Sequence, residues 1–227
     1  MKYIYHHLGL GDHIICNGLV RSLINENENY TMFVKSNYLE SVKFMYRDLK
    51  NLFFLESDDY QARNFISTNN IKNEDVIYAG FEKNPNSKEF DDNFYIMNNV
   101  PFKNRWDKFF VDRDLDREKK IFNEYNVIES QYIFIHDDSS RGLHINEEYI
   151  KNKELPIVRP KEGLTNNIFD YMYLIENAYE CHFMDSSFRL MFDSLGSQKN
   201  NLYYHINYYP IKRSDTKSQS KLTYILI

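Results

Sequence analysis

The chain has 227 residues, 42% of them hydrophobic, and a net charge of −5. That is enough apolar material for one large domain or two small ones, and the acidic balance gives no general attraction to nucleic acid or to an anionic membrane. No apolar run reaches bilayer length and no charged-then-apolar leader opens the chain; the isolated Cys16 and Cys181 lack the spacing of a zinc site or a disulfide framework. A soluble, cytoplasmic protein is expected, with peripheral membrane contact left open and the oligomeric state unread.

In chain order, the apolar run Tyr3-Ile4-Tyr5, the stretch Leu8-Gly9-Leu10-Gly11-Asp12-His13 and the periodic segment up to Ile24 read as a strand, a glycine turn and a helix from His13 to about Asn25. Gly9 and Gly11 would let the backbone turn sharply and approach a ligand, and the following helix offers N–H groups to an anion. Asp12 at that mouth has two uses, capping the helix or accepting a proton from a bound group. A dinucleotide fingerprint needs a third glycine where Ile14 stands, which disfavours an NAD-dependent oxidoreductase; a Walker A loop needs a longer glycine spacing closed by Lys and Ser or Thr.

Thr31 to Val34 reads as a strand, Tyr38 to Tyr46 as a helix, Leu52 to Leu55 as a strand, Tyr60 to Ser67 as a poor helix and Asp75 to Tyr78 as a strand ending at Ala79-Gly80. This alternation predicts a parallel sheet with its ligands beyond the carboxyl ends of the strands. Phe81 to Asn99 turns polar, with Asp91-Asp92-Asn93 as a turn signal, and reads as a long irregular loop. A charged helix follows from Asp112 to about Tyr125, and the domains are divided as 1–108 and 109–227. The lone Trp106 beside that boundary is read as packing.

The second half restarts with a strand, Tyr132 to Ile135, running into His136-Asp137-Asp138-Ser139-Ser140-Arg141-Gly142. A helix from Asn167 to Ala178 should bury Ile168, Met172 and Ile175; Cys181 to Met184 should be a strand. Asp185-Ser186-Ser187 then opens a helix striped by Phe188, Met191, Phe192 and Leu195 and ended by Gly196, and Asn201 to Ile206 should form a last strand. The tail from Pro210, with Lys212, Arg213, Lys217 and Lys221, is free to return to the first domain.

Asp185, Ser186 and Ser187 suit phosphate binding at a helix N-terminus, against simple capping as the alternative. Ser139, Ser140 and Arg141 add hydroxyls and a guanidinium fork suited to a pyrophosphate, against a solvated surface turn. Adjacent His136, Asp137 and Asp138 point alternately and do not converge on a metal ion; of His6 and His7 at most one faces a ligand. Neither Ser139 nor Ser186 lies in a Gly-x-Ser-x-Gly elbow, and Cys16 lies inside a helix, so nucleophilic catalysis is disfavoured.

Together, Leu10-Gly11-Asp12-His13-Ile14-Ile15, the run Ile135 to Arg141 and the block "FDYMYLIENAYECHFMDSSFRLMFDSL" (169–195) resemble the heptosyltransferase-like glycosyltransferases, a family 9-like group. The resemblance implies an α/β fold of two Rossmann-like domains with parallel sheets facing across a cleft (GT-B), the first on the acceptor side and the second on the nucleotide-sugar side. It implies metal-independent transfer of a sugar from a nucleotide-diphosphate donor to a glycan hydroxyl, without a cofactor. Asp12 would be the base and Arg141 would neutralise the departing diphosphate. Gly9, Gly11, His13, Ser139, Ser140, Asp185, Ser186 and Ser187 would bind substrate. Met184 stands where the family has Gly, and Ser186-Ser187 where it has Thr-Gly. The other class to weigh is a non-catalytic nucleotide- or glycan-binding protein that retains the fold.

Overall fold

The computed structural model describes residues 1–81, 84–85, 90–196, 201–206 and 223–226. They belong to two compact units, one spanning Met1–Asp112 and one beginning at Arg113. The expected course of the tail from Pro210 to Lys221 lies outside the described residues.

The first unit is a four-stranded parallel sheet, β1 (Lys2–His6), β2 (Tyr30–Val34), β3 (Leu52–Glu56) and β4 (Val76–Ala79), in the order β3-β2-β1-β4. Tyr5, Leu8, Phe33, Ala62, Ile66 and Val76 pack together as part of its core. Its helices are α1 (Leu10–Ile15), α2 (Asn17–Leu23), α3 (Leu39–Met45), α4 (Asp59–Thr68), α5 (Phe90–Ile96) and α6 (Asn104–Asp107).

The structure revises three readings of the sequence, each for a physical reason. The single helix expected from His13 starts earlier and is interrupted at Cys16. The buried Tyr95 hydroxyl donates to the Ile15 carbonyl at 2.6 Å and accepts from the Leu19 N–H at 3.1 Å, which inserts it between the two groups that would otherwise bond to each other. The "poor" helix becomes α4, ten residues long, because Asp58 and Gln61 form a reciprocal capping box, Gln61 N–H to Asp58 Oδ1 at 2.8 Å and Asp58 N–H to Gln61 Oε1 at 2.9 Å. The expected long loop contains α5, whose Asp91 is buried as the partner of buried Arg105. Asp and Asn favour helix starts as much as turns, and a distant arginine decided between them.

Helices α2 and α6 meet backbone to backbone at Gly18, where a Cβ would lie 2.0 Å from the Asn104 carbonyl oxygen. Neither backbone can yield cheaply, so Gly18→Ala is expected to destabilise the fold by about 1–3 kcal/mol or more. A urea-denaturation midpoint equal to that of the unchanged chain would refute this. Trp106, on α6, packs edge-on against Phe102 at 5.2 Å.

The second unit is a five-stranded parallel sheet of β5 (Ile133–His136), β6 (Ile157–Val158), β7 (Glu180–Phe183), β8 (Leu202–Ile206) and β9 (Thr223–Leu226), in the order β6-β5-β7-β8-β9. Its helices are α7 (Leu115–Asn123), α8 (Met172–Glu176) and α9 (Ser187–Ser194). Arg113 joins α7 to α8 by bonding both Glu118 and Glu176. The helix expected from Asn167 shortens to α8, preceded by a 3-10 turn at Ile168–Tyr171. Asp170 there accepts from Asn167 at 2.7 Å, Thr165 at 2.7 Å and Arg117 at 2.8 Å, local bonds that compete with helical ones. Phe169, rather than Ile168, enters the core. Helix α9 is buried nearly all round, Arg189 and Asp193 included, and is followed by Gly196 in the left-handed conformation (φ 67°).

Candidate functional site

Polar side chains gather in the second unit where β5 and β7 end. Past β5 the chain makes a 3-10 turn, Ser139–Arg141, which Gly142 closes with φ 68°, a conformation that favours glycine. Asp138 and Leu143 then exchange backbone hydrogen bonds at 3.0 Å, closing the loop at its neck. Asp137 ties down the far side: its carboxylate accepts from the Ile145 N–H at 2.7 Å and from Arg159 Nε at 3.0 Å, while Arg159 also bonds Glu147 at 2.8 Å. Asp137 is thereby a loop anchor.

Arg141 is held across the two strand ends. Its Nε pairs with Asp138 Oδ2 at 2.7 Å, and its Nη2 donates to the Asp185 carbonyl oxygen at 3.1 Å. Nη2 also lies 3.9 Å from Asp185 Oδ2, and the half-exposed guanidinium has Nη1 left for another acceptor. On the β7 side, Arg189 Nη2 donates to Asp185 Oδ1 at 3.2 Å and its guanidinium lies 4.5 Å from the Tyr204 ring centre. Ser186 is the N-cap of α9, its Oγ accepting from the Arg189 N–H at 3.5 Å. The N–H groups of Ser187 and Phe188 precede the intrahelical ladder and face whatever lies ahead of the helix. The structure thus brings Arg141, Asp185, Ser186 and Ser187 to one place, with Ser139 exposed on the neighbouring turn. The side chain of Ser140 lies outside the described part.

His136, at the end of β5, stacks on Phe188 at 4.0 Å and 20°, and burial pushes its pKa down to about 4. Neutral at physiological pH, it packs flat against the first turn of α9. Among the described residues no three His, Cys, Asp or Glu side chains converge to hold a metal ion.

In the first unit, the glycine stretch is arranged differently from a tight glycine turn. Gly9 is the N-cap of α1 with φ −74°, and Gly11 lies within the helix, so neither uses the left-handed region. Gly9 matters for space, because a Cβ there would sit 2.6 Å from Asp12 Oδ2. The carboxylate of Asp12 folds back over Gly9 and lies in the first helical turn, where the helix dipole favours negative charge. His13, expected on the ligand side, is fully buried instead. Its ring meets buried His6 edge-on at 4.3 Å, and burial holds its pKa well below the ordinary value. Both ring nitrogens of His13, and Nε2 of His6, have no hydrogen-bond partner. His6 is bonded through Nδ1 alone, which meets the His7 carbonyl.

A further polar row lies inside the second sheet. Glu180 Oε1 is 3.0 Å from His182 Nε2, and His182 Nδ1 is 2.8 Å from His205 Nε2; all three residues are buried. The two histidines are each pushed down to about 4, chiefly by burial, and the Glu180 carboxyl is pushed up by burial.

Sequence reasoning missed Arg189 and Arg159. Arg189 was legible in principle, four residues after Asp185 on a helix and so on the same face. The Asp137–Arg159 bond spans 22 residues and left no local signal.

The sequence matches no protein-family model and no curated protein. The fold is that of a solved structure described as a glycosyl transferase of family 9 from Veillonella parvula, with a TM-score of 0.59 and 7% identity, covering 99% of this chain and 86% of that one. At that identity the likeness is one of fold: a mixed α/β chain built on parallel sheets. No described helix is long and apolar enough to cross a membrane.

Proposed function

We propose that the chain is a glycosyltransferase that moves a sugar from a nucleotide-diphosphate donor to a hydroxyl of a glycan acceptor, without a metal ion. The observation that carries this reading is Arg141, fixed at the carboxyl ends of two parallel strands beside the N-terminus of α9, in a chain with the fold of a family 9 glycosyl transferase structure. In this reading the units take the GT-B division of labour, the first presenting the acceptor to Asp12 and the second holding the nucleotide sugar.

Cleavage of the bond between the anomeric carbon and the diphosphate oxygen leaves both electrons, and so the negative charge, on the diphosphate. The free N–H donors of Arg141, with the N–H groups and hydroxyls of Ser186 and Ser187, stabilise that charge. The acceptor oxygen forms the new bond to the anomeric carbon and gives its proton to Asp12. Asp138 and Asp185 orient Arg141, and Arg189 orients Asp185. Gly9 leaves room for the Asp12 carboxylate, and Ser139 and Ser140 border the diphosphate turn.

Titration with a panel of nucleoside diphosphates, paired with donor-hydrolysis and transfer assays, tests the reading. Arg141→Ala is expected to weaken diphosphate binding by about tenfold to a hundredfold, the range of a charge-assisted bond. Undiminished binding in that variant would remove Arg141 from the site. Binding by the unchanged chain with no turnover across donors and acceptors would favour a non-catalytic nucleotide-binding protein.

A further inference from the structure

The first unit holds a cavity of about 1140 Å³ along β4, the second half of α4 and the end of α5; Asp12 does not line it. Its wall is aromatic. Phe81 lies 4.5 Å from the buried Tyr5 ring and 6.4 Å from Tyr78, and both Phe81 and Tyr78 are partly exposed. β4 is the last strand of its sheet, and the Tyr78 carbonyl accepts from Asn98 Nδ2 at 2.9 Å in place of a neighbouring strand.

Among the described residues lining the cavity, Arg63 alone carries charge. Its Nε donates to the Tyr5 hydroxyl at 3.2 Å, and its guanidinium carbon is 5.9 Å from the Phe81 ring centre. The same hydroxyl lies 3.4 Å from Asp59 Oδ1, so a carboxylate neighbours the guanidinium, whose terminal nitrogens extend beyond the Tyr5 bond. Asn70 adds a neutral amide, and Asn98, whose Nδ2 donates to the Tyr78 and Phe94 carbonyls, adds its Oδ1 as an acceptor.

We propose that this cavity binds an anionic sugar, a pyranose carrying a carboxylate. Arg63 offers the fork that a carboxylate matches. The faces of Tyr78 and Phe81 take the C–H face of the ring, and the asparagine amides meet its hydroxyls. A wholly apolar ligand would leave the guanidinium and amides unmatched, at the cost of desolvating them. The cavity shares no residue with the Arg141 and Asp185 turns, so the proposal stands apart from the transfer reading.

Isothermal titration of the full chain with a galacturonic acid disaccharide and with its neutral galactose counterpart tests it. The acid is expected to bind about tenfold or more tighter than the neutral sugar, and in Arg63→Gln that ratio should fall to about one. Phe81→Ala should weaken both sugars by about tenfold. Arg63 is exposed, so its replacement leaves the core intact, which circular dichroism checks. No binding of the acid by the unchanged chain, or equal preference for the acid in Arg63→Gln, would overturn the proposal. Nucleoside diphosphate titration of the same samples reads the other site separately, so failure of one reading leaves the other standing.

Discussion

Asp12→Asn is expected to lower sugar transfer by about 10²–10⁴-fold, the contribution of a positioned general base, while nucleoside diphosphate binding stays unchanged. Asparagine has the size and shape of aspartate and keeps the contact over Gly9, but it cannot take up the acceptor proton. Some loss of stability is expected, because a carboxylate in the first turn of α1 also favours the helix; that effect is about 0.3–1 kcal/mol and too small to unfold a domain. The decisive measurement is the transfer rate at saturating donor, with diphosphate affinity measured on the same protein. A rate within about threefold of the original would sink Asp12 as the base, since even weak base catalysis exceeds that factor.

The second large effect concerns acid. His6, His136, His182 and His205 are each held near 4 by burial, against an ordinary value of 6.5, and burial also holds His13 well below that value. A histidine whose folded pKa is depressed binds its proton more readily once the chain unfolds, so between 4 and 6.5 the unfolded state holds more protons. Stability is therefore fully present above about pH 6.5 and declines as the pH falls toward 4. Each of the four held near 4 subtracts about 1–2 kcal/mol at about pH 5, and the raised Glu180 carboxyl offsets a part. Together these approach the whole stability of an ordinary domain, about 5–15 kcal/mol. Urea denaturation at about pH 7.5 and about pH 5 should show a loss of several kcal/mol, over a range in which ordinary carboxylates stay ionised. Equal stability at the two values would mean that these imidazoles have room to ionise in place.

The regular elements were legible because parallel strands, buried on both faces, leave short apolar runs, and because turn chemistry punctuates them. Tyr30 to Val34 and Ile133 to His136 announced themselves in that way, and the stripe from Phe188 to Phe192 by its helical spacing. What escaped reading depended on distant partners. Tyr95 breaks a helix eighty residues before it, Arg105 turns an apparent loop into buried helix, and Asn167, Thr165 and Arg117 tighten a helical segment around Asp170. The site was legible to the same extent. Arg141 and the Asp185 turn followed from strand ends, whereas burial of His13 depended on packing against His6, which no local pattern records.

The loop that carries Arg141 is tied at three places: at its neck by Asp138 and Leu143, and on its far side by Asp137 to Ile145 and to Arg159. A loop so closed has already surrendered its conformational freedom when the chain folds. An anion that meets Arg141 then immobilises a side chain that two acceptors already hold, rather than a segment of moving backbone, and the ordering penalty that an open loop would subtract from affinity is small. Loosening any one tie would therefore weaken anion binding from a distance, through entropy alone, with every contact of the guanidinium still chemically possible.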